Sequence, residues 1–128
     1  MKYALLINAS PFGPGQRAAL AFAQALHRRG HSLTRVFFYG EGVLTANRLQ
    51  QPPQGEVQTY RQWQALATTT GCELVVCIAA ALRRGIVDQR EAERYELSEH
   101  NLAEGFTLSG LGQLVEAGVE NDRLITFG

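Results

Sequence analysis

The sequence predicts an α/β domain built on one parallel sheet of four or five strands, with helices on both faces. Three observations carry this expectation. Two short apolar runs, residues 3–8 and 32–39, bracket a longer stretch of helical spacing. That order calls for a right-handed crossover and parallel pairing. Residues 73–77 are a Val-rich run without polar alternation, the pattern of a strand buried on both faces. This run passes straight into an Ala-rich segment closed by Arg83, Arg84 and Gly85, a short helix with its stop signal.

Taken in order, residues 3–8 form the first strand. Two Pro and two Gly make residues 9–15 a loop. Across residues 16–29, Ala19, Phe22, Ala23 and Leu26 make an apolar stripe. His27, Arg28 and Arg29 fill the last turn, and Gly30 terminates the helix. Residues 32–39 are the second strand, with Val36, Phe37 and Phe38 at its buried end. Residues 43–49 read as a short helix and 50–55 as a polar loop. Residues 57–70 are a second long helix, with Tyr60, Trp63 and Leu66 or Ala67 on one face and Gly71 at its end. Tyr60 and Trp63 are expected as core or interface anchors. After the 73–77 strand and its helix, residues 88–94 read as a charged, exposed turn or helix. Residues 98–105 read as a loop or partial helix, and 109–117 as a helix stopped by Gly118. Asn121 and Asp122 turn the chain into a last strand, 123–127. No repeat or low-complexity linker divides the chain, so residues 1–128 are read as one domain.

The totals narrow the function. Of the 128 residues, 45% are hydrophobic, enough for a real core and too many for disorder. Formal net charge is zero with no long basic run, which disfavours direct, tight binding of nucleic acid. The apolar runs are too short to span a bilayer. The amino-terminal run has neither the length nor the cleavage pattern of a signal peptide. A soluble, cytoplasmic protein is expected. The two cysteines, Cys72 and Cys77, stand near opposite ends of one strand, ~16 Å apart at ~3.3 Å per residue. A disulfide needs Cα atoms within ~7 Å, so the two do not bridge each other. Their spacing matches no zinc site, and free thiols in a reducing compartment account for them.

Cys77 is the candidate for chemistry. It falls where the strand joins the helix, at the carboxyl end of the sheet, where open α/β sheets place their sites. A thiol there also faces the amino end of the next helix, whose partial positive charge favours thiolate over thiol. The other reading makes Cys77 a small core hydrophobe. No His, Asp or Glu lies close to it in sequence. Residues 13–18 fit G-x-G-x-x-A after a strand, and Glu41 could serve as a ribose partner, so a flavodoxin-like nucleotide or flavin site on the Gly13–Gly15 loop is an alternative. Against it, Gly13 comes five residues after Asn8, and Pro14 removes an amide. A Gly/Pro turn opening a helix is the plainer account. Arg83 and Arg84 either complement a helix end or form a basic patch for an acidic partner. His27 and His31 flank a helix end, and His100 stands alone. In residues 106–112, Thr107 or Ser109 could cap the following helix, or the glycines could admit another backbone.

Four stretches together resemble the DsrE/TusD family of sulfur-relay proteins. They are residues 36–43 with Ala46 and Asn47, then Cys77-Ile78-Ala79-Ala80-Ala81-Leu82-Arg83-Arg84-Gly85. The third is Asn101-Leu102 with residues 105–112, and the last is Asp122-Arg123. The resemblance spans nearly the whole chain, and Cys77 matches the family's active cysteine. Cys72 matches no family motif, and Gly40 stands where relatives often carry a larger residue. The resemblance implies a sulfurtransferase that carries sulfane sulfur as a persulfide on Cys77. It implies association with TusB-like and TusC-like chains in a dimer of heterotrimers, a TusA-like donor and a TusE-like acceptor. The relay would supply 2-thiolation of wobble uridine in tRNA, or in sulfur-oxidising relatives dissimilatory sulfur metabolism. No cofactor, metal, membrane or direct tRNA contact is implied.

Overall fold

In the computed structural model, which describes residues 1–128, five strands form one sheet in the order β4-β3-β2-β1-β5, every neighbouring pair parallel. β1 is Lys2–Ile7, β2 Ser32–Phe38, β3 Glu73–Cys77, β4 Phe106–Ser109 and β5 Arg123–Phe127. The helices are α1 (Pro14–Arg28), α2 (Thr59–Thr70), α3 (Ile78–Arg83), α4 (Gln89–Arg94) and α5 (Gly112–Glu120). Pro14 starts α1 two residues before the expected 16–29 span, because proline suits the first helical position. Gly71 ends α2 with φ 77°, a left-handed cap that favours glycine.

Register assigns the two faces. Leu5, Ile7, Val36, Phe38, Leu74, Val76 and Phe106 share one face. There Trp63 of α2 is fully buried and meets Phe38 edge-on at 5.4 Å, with Phe106 at 5.6 Å from Phe38. Tyr60 and Trp63 are thus core anchors. The opposite face carries Leu6, Arg35, Phe37, Val75 and Cys77, and α5 crosses β1, β2 and β5 on that side. Arg35 ties α5 down. Its Nη1 donates to the Gln113 carbonyl at 2.9 Å, and its Nη2 to Glu73 at 2.9 Å and Glu116 at 3.3 Å. Two carboxylates around a desolvated guanidinium compensate its burial.

Four expectations change. Residues 106–109 are an edge strand, not the lead-in to a helix, so neither Thr107 nor Ser109 caps anything. α5 starts at Gly112 behind Leu111 and runs through Gly118 to Glu120. Asn121 closes it by donating from Nδ2 to the Ala117 carbonyl at 2.7 Å. The short helix expected at 43–49 is a 3-10 turn over Gly40–Ala46. Finally, α4 is not wholly exposed, since Glu91 and Ala92 are buried. No helix is long and apolar enough to cross a membrane.

Candidate functional site around Cys77

β3 delivers Cys77 to the carboxyl edge of the sheet, where it is also the cap residue of α3 with φ −61° and ψ 118°. The position is the one read from the sequence. The side chain behaves differently: it is 2% exposed, packs with the core, and accepts no hydrogen bond from the amides of α3. Cys72, at the other end of β3, is buried too. Burial pushes its thiol up from the ordinary value of 9.0, a rise that hydrogen bonding with Thr70 only partly offsets. Both thiols are free. Cys72 packs with the core at the opposite end of β3 from Cys77.

The family-like motif residues converge around this edge. Gly42 passes so close to the end of β1 that a Cβ there would stand 2.1 Å from the Ile7 carbonyl oxygen, so only glycine fits. Behind it Gln16, itself buried, donates to the Ala9 carbonyl at 2.9 Å and to Thr45 Oγ1 at 2.7 Å. It accepts from the Trp63 indole at 2.8 Å. One amide thus locks the β1 loop, the 3-10 turn and α2 together. Asn101 does the same on the far side of α3. Its Nδ2 donates to Asn47 Oδ1 at 3.2 Å and to the Gly85 carbonyl at 3.1 Å, and its Oδ1 accepts from Val87 N at 2.9 Å. Arg84 reaches back to the Ala80 carbonyl at 3.1 Å and pairs with Glu41 at 3.0 Å. Its position at the helix end and its pairing role coincide, while Arg83 stays exposed.

These contacts reassign the other candidates. Glu41 is engaged by Arg84, not held for a ribose. In the Gly13–Gly15 stretch, Gly13 precedes the helix and its amide donates to the Ser10 carbonyl. A Cβ on Gly15 would stand 2.7 Å from that of Ala9, so this glycine is explained by packing. His31 Nδ1 lies 3.2 Å from the amino terminus, far from Cys77 in the sheet. Gln16 escaped the sequence reading, and Asn47 and Asn101 entered it only as motif residues without a role, because their partners are distant in the chain. Glu91 had a local signal, the D-x-x-E capping pattern: Asp88 Oδ1 accepts from Glu91 N at 2.8 Å. No group of three or more His, Cys, Asp or Glu converges to hold a metal.

Comparisons with known proteins bear on the family and the fold. The sequence model of the DsrE/DsrF-like family matches residues 1–127. "Sulfurtransferase TusD" of Enterobacter sp. (strain 638) is 49% identical across 99% of this chain and 100% of its own length. The proteins of that name from Klebsiella pneumoniae (strain 342) and Salmonella typhi are 48% and 50% identical with the same coverage. Among solved structures, the ychN protein from E. coli superimposes with a TM-score of 0.76 at 22% identity, over 99% of both chains. A conserved protein of unknown function from Bacteroides thetaiotaomicron gives 0.63 at 13% identity, over 98% of this chain and 94% of its own. The structural likenesses speak for the fold. The chain belongs to the DsrE/DsrF-like family, as its four motif stretches led us to expect.

Proposed function

We propose that this chain is a sulfurtransferase subunit, one sulfur-relay domain over residues 1–128, that carries sulfane sulfur as a persulfide on Cys77. The observation that carries the reading is the near 50% identity to sulfurtransferases over the full length of both chains. The position of Cys77 at the carboxyl edge of the sheet, at the start of the helix whose far end the motif residues Glu41, Arg84 and Asn101 tie down, supports it. Chemically, the Cys77 thiolate attacks the outer sulfur of a donor persulfide. A new S–S bond forms on Cys77, the donor's S–S bond breaks, and the donor cysteine leaves as thiolate. The outer sulfur keeps its proton, and no external oxidant or reductant is consumed. An acceptor thiolate then attacks the same outer sulfur, and Cys77 leaves as thiolate. Because the thiol is buried in the isolated chain, both steps pass through a local opening at this edge.

The relay meant is the one the family resemblance implies: a TusA-like donor, a TusE-like acceptor, and 2-thiolation of the tRNA wobble uridine as destination. The names of the relatives favour this relay over a sulfur-oxidation one. TusB-like and TusC-like chains are the proposed neighbours. An exposed apolar stripe at helical spacing, Leu111 just ahead of α5 with Val115 and Val119 on it, supports a protein-covered face. The zero formal charge suits contact with proteins, leaving tRNA to a later enzyme. The test is sulfur transfer from a TusA-like to a TusE-like protein through the assembled complex. Labelled sulfur should reach the acceptor with the native chain and not with Cys77→Ser. Undiminished transfer through the Cys77→Ser complex would overturn the reading.

A further inference from the structure

The register of the edge strand places one side chain beside Cys77 that no motif argument singled out. In the β3–β4 ladder, Cys77 is paired with Ser109. Register partners of parallel strands project from the same face, ~4.8 Å apart. Burial falls steeply across this pair. Cys77 is 2% exposed, Ser109 is half-buried and Thr107 on the same face of β4 is exposed. β4 is the edge of the sheet, and Ser109 is only half-buried there, so its side chain is reachable from solvent. Neither its hydroxyl nor the Cys77 sulfur is used in a side-chain hydrogen bond of the chain.

A persulfide is longer than a thiol by one S–S bond of ~2.05 Å. That extension covers much of the gap between the strands, and the atom it adds is the one that must be handed on. We propose that Ser109 holds the outer sulfur of the Cys77 persulfide: its hydroxyl donates to that sulfur and aims it at the open β4 edge, where the acceptor arrives. The inference rests on the sulfur-carrier reading and adds to it the residue that binds the cargo. At rest the outer sulfur gives its proton to solvent, and a donor there stabilises the resulting persulfide anion, as charge-assisted hydrogen bonds do. The proton returns before the acceptor thiolate attacks. It acts on the loaded state and leaves the empty thiol alone. Tyr39 at the end of β2, Glu41, Arg83 and Arg84 on the turn and helix packed beside β3, and Arg35 and Glu73 at its other end remain in place when Ser109 is changed.

The test loads Cys77 with inorganic polysulfide, which does not depend on a protein donor, in the native chain, Ser109→Ala and Ser109→Thr. Rates of alkylation are then measured against pH for the empty thiol and for the persulfide. Ser109→Ala should raise the persulfide's midpoint by about one pH unit and leave the thiol's profile unchanged. Ser109→Thr, which keeps the hydroxyl, should restore the native persulfide profile. An unshifted persulfide in Ser109→Ala, or equal shifts of thiol and persulfide, overturns the assignment while leaving Cys77 as the carrier. Loading by polysulfide but not by any donor protein overturns the relay and still allows Ser109 to be judged. A Cys77 that takes up no sulfur even from polysulfide overturns both.

Discussion

Replacing Gln16 with leucine should destabilise the chain far more than its size suggests. Leucine is close in volume and suits a buried helical position, so packing alone forecasts little change. The hydrogen bonds forecast otherwise. Gln16 and Thr45 are 1% and 0% exposed, and Trp63 is also 0% exposed. Gln16→Leu strands the Trp63 indole N–H, which now donates at 2.8 Å, at a cost of about 1–3 kcal/mol for a buried unpaired donor. The Ala9 carbonyl and the Thr45 hydroxyl each lose a bond worth about 1 kcal/mol. The sum is about 3–5 kcal/mol, or a fall in Tm of roughly 10–20 °C for a chain of this length. Urea and thermal unfolding followed by circular dichroism measure it. The double variant Gln16→Leu with Trp63→Phe, which removes the stranded donor, should be more stable than the sum of the single changes by about 1–2 kcal/mol. A single variant within 0.5 kcal/mol of native, or strictly additive changes, would refute the idea that this amide locks three elements.

Three further outcomes follow from the same structure. Gly42→Ala puts a Cβ 2.1 Å from a backbone oxygen, so it should lower stability by more than about 2 kcal/mol and raise proteolysis in the Gly40–Ala46 turn. Arg35→Met removes the clamp on α5, and hydrogen exchange should accelerate in α5 while α1 and α2 keep their protection. Burial raises the Cys72 thiol above 9.0, so the native state binds more protons than the unfolded chain above that pH. This contribution to stability is full below pH 9 and is lost as pH rises through the higher folded value. The stability of Cys72→Ala, from unfolding measured between pH 8 and 10.5, should therefore decline less steeply than that of the native chain (window set by ~8.5–9 for a thiol).

Local chemistry made most of the fold legible. β3 and β5 keep the bounds read from the sequence, because a Val-rich run behind a left-handed Gly71 and a strand after Asn121-Asp122 are short-range signals. β4 escaped because it is four residues long, lies at the sheet edge and mixes Phe106 and Leu108 with Thr107 and Ser109, too little for a period-two pattern. Gly118 misled as a stop signal: it sits inside α5, where the Asn121 side chain does the closing. At the site, the strand-to-helix junction located Cys77. Its burial, its pairing with Ser109 and the Asn47–Asn101 bridge depend on segments distant in sequence, which no spacing reveals. Gln16, read only as a helix residue, is a hub because folding brings Trp63 and Thr45 to it.

The central claim is that Cys77 carries the sulfur, and intact-mass spectrometry after incubation with a persulfidated donor protein tests it most directly. With the partner subunits present, the native chain should gain one sulfur atom that a reductant releases, and Cys77→Ser should gain none. An equal gain in Cys77→Ser, or no gain in either protein, would contradict the account.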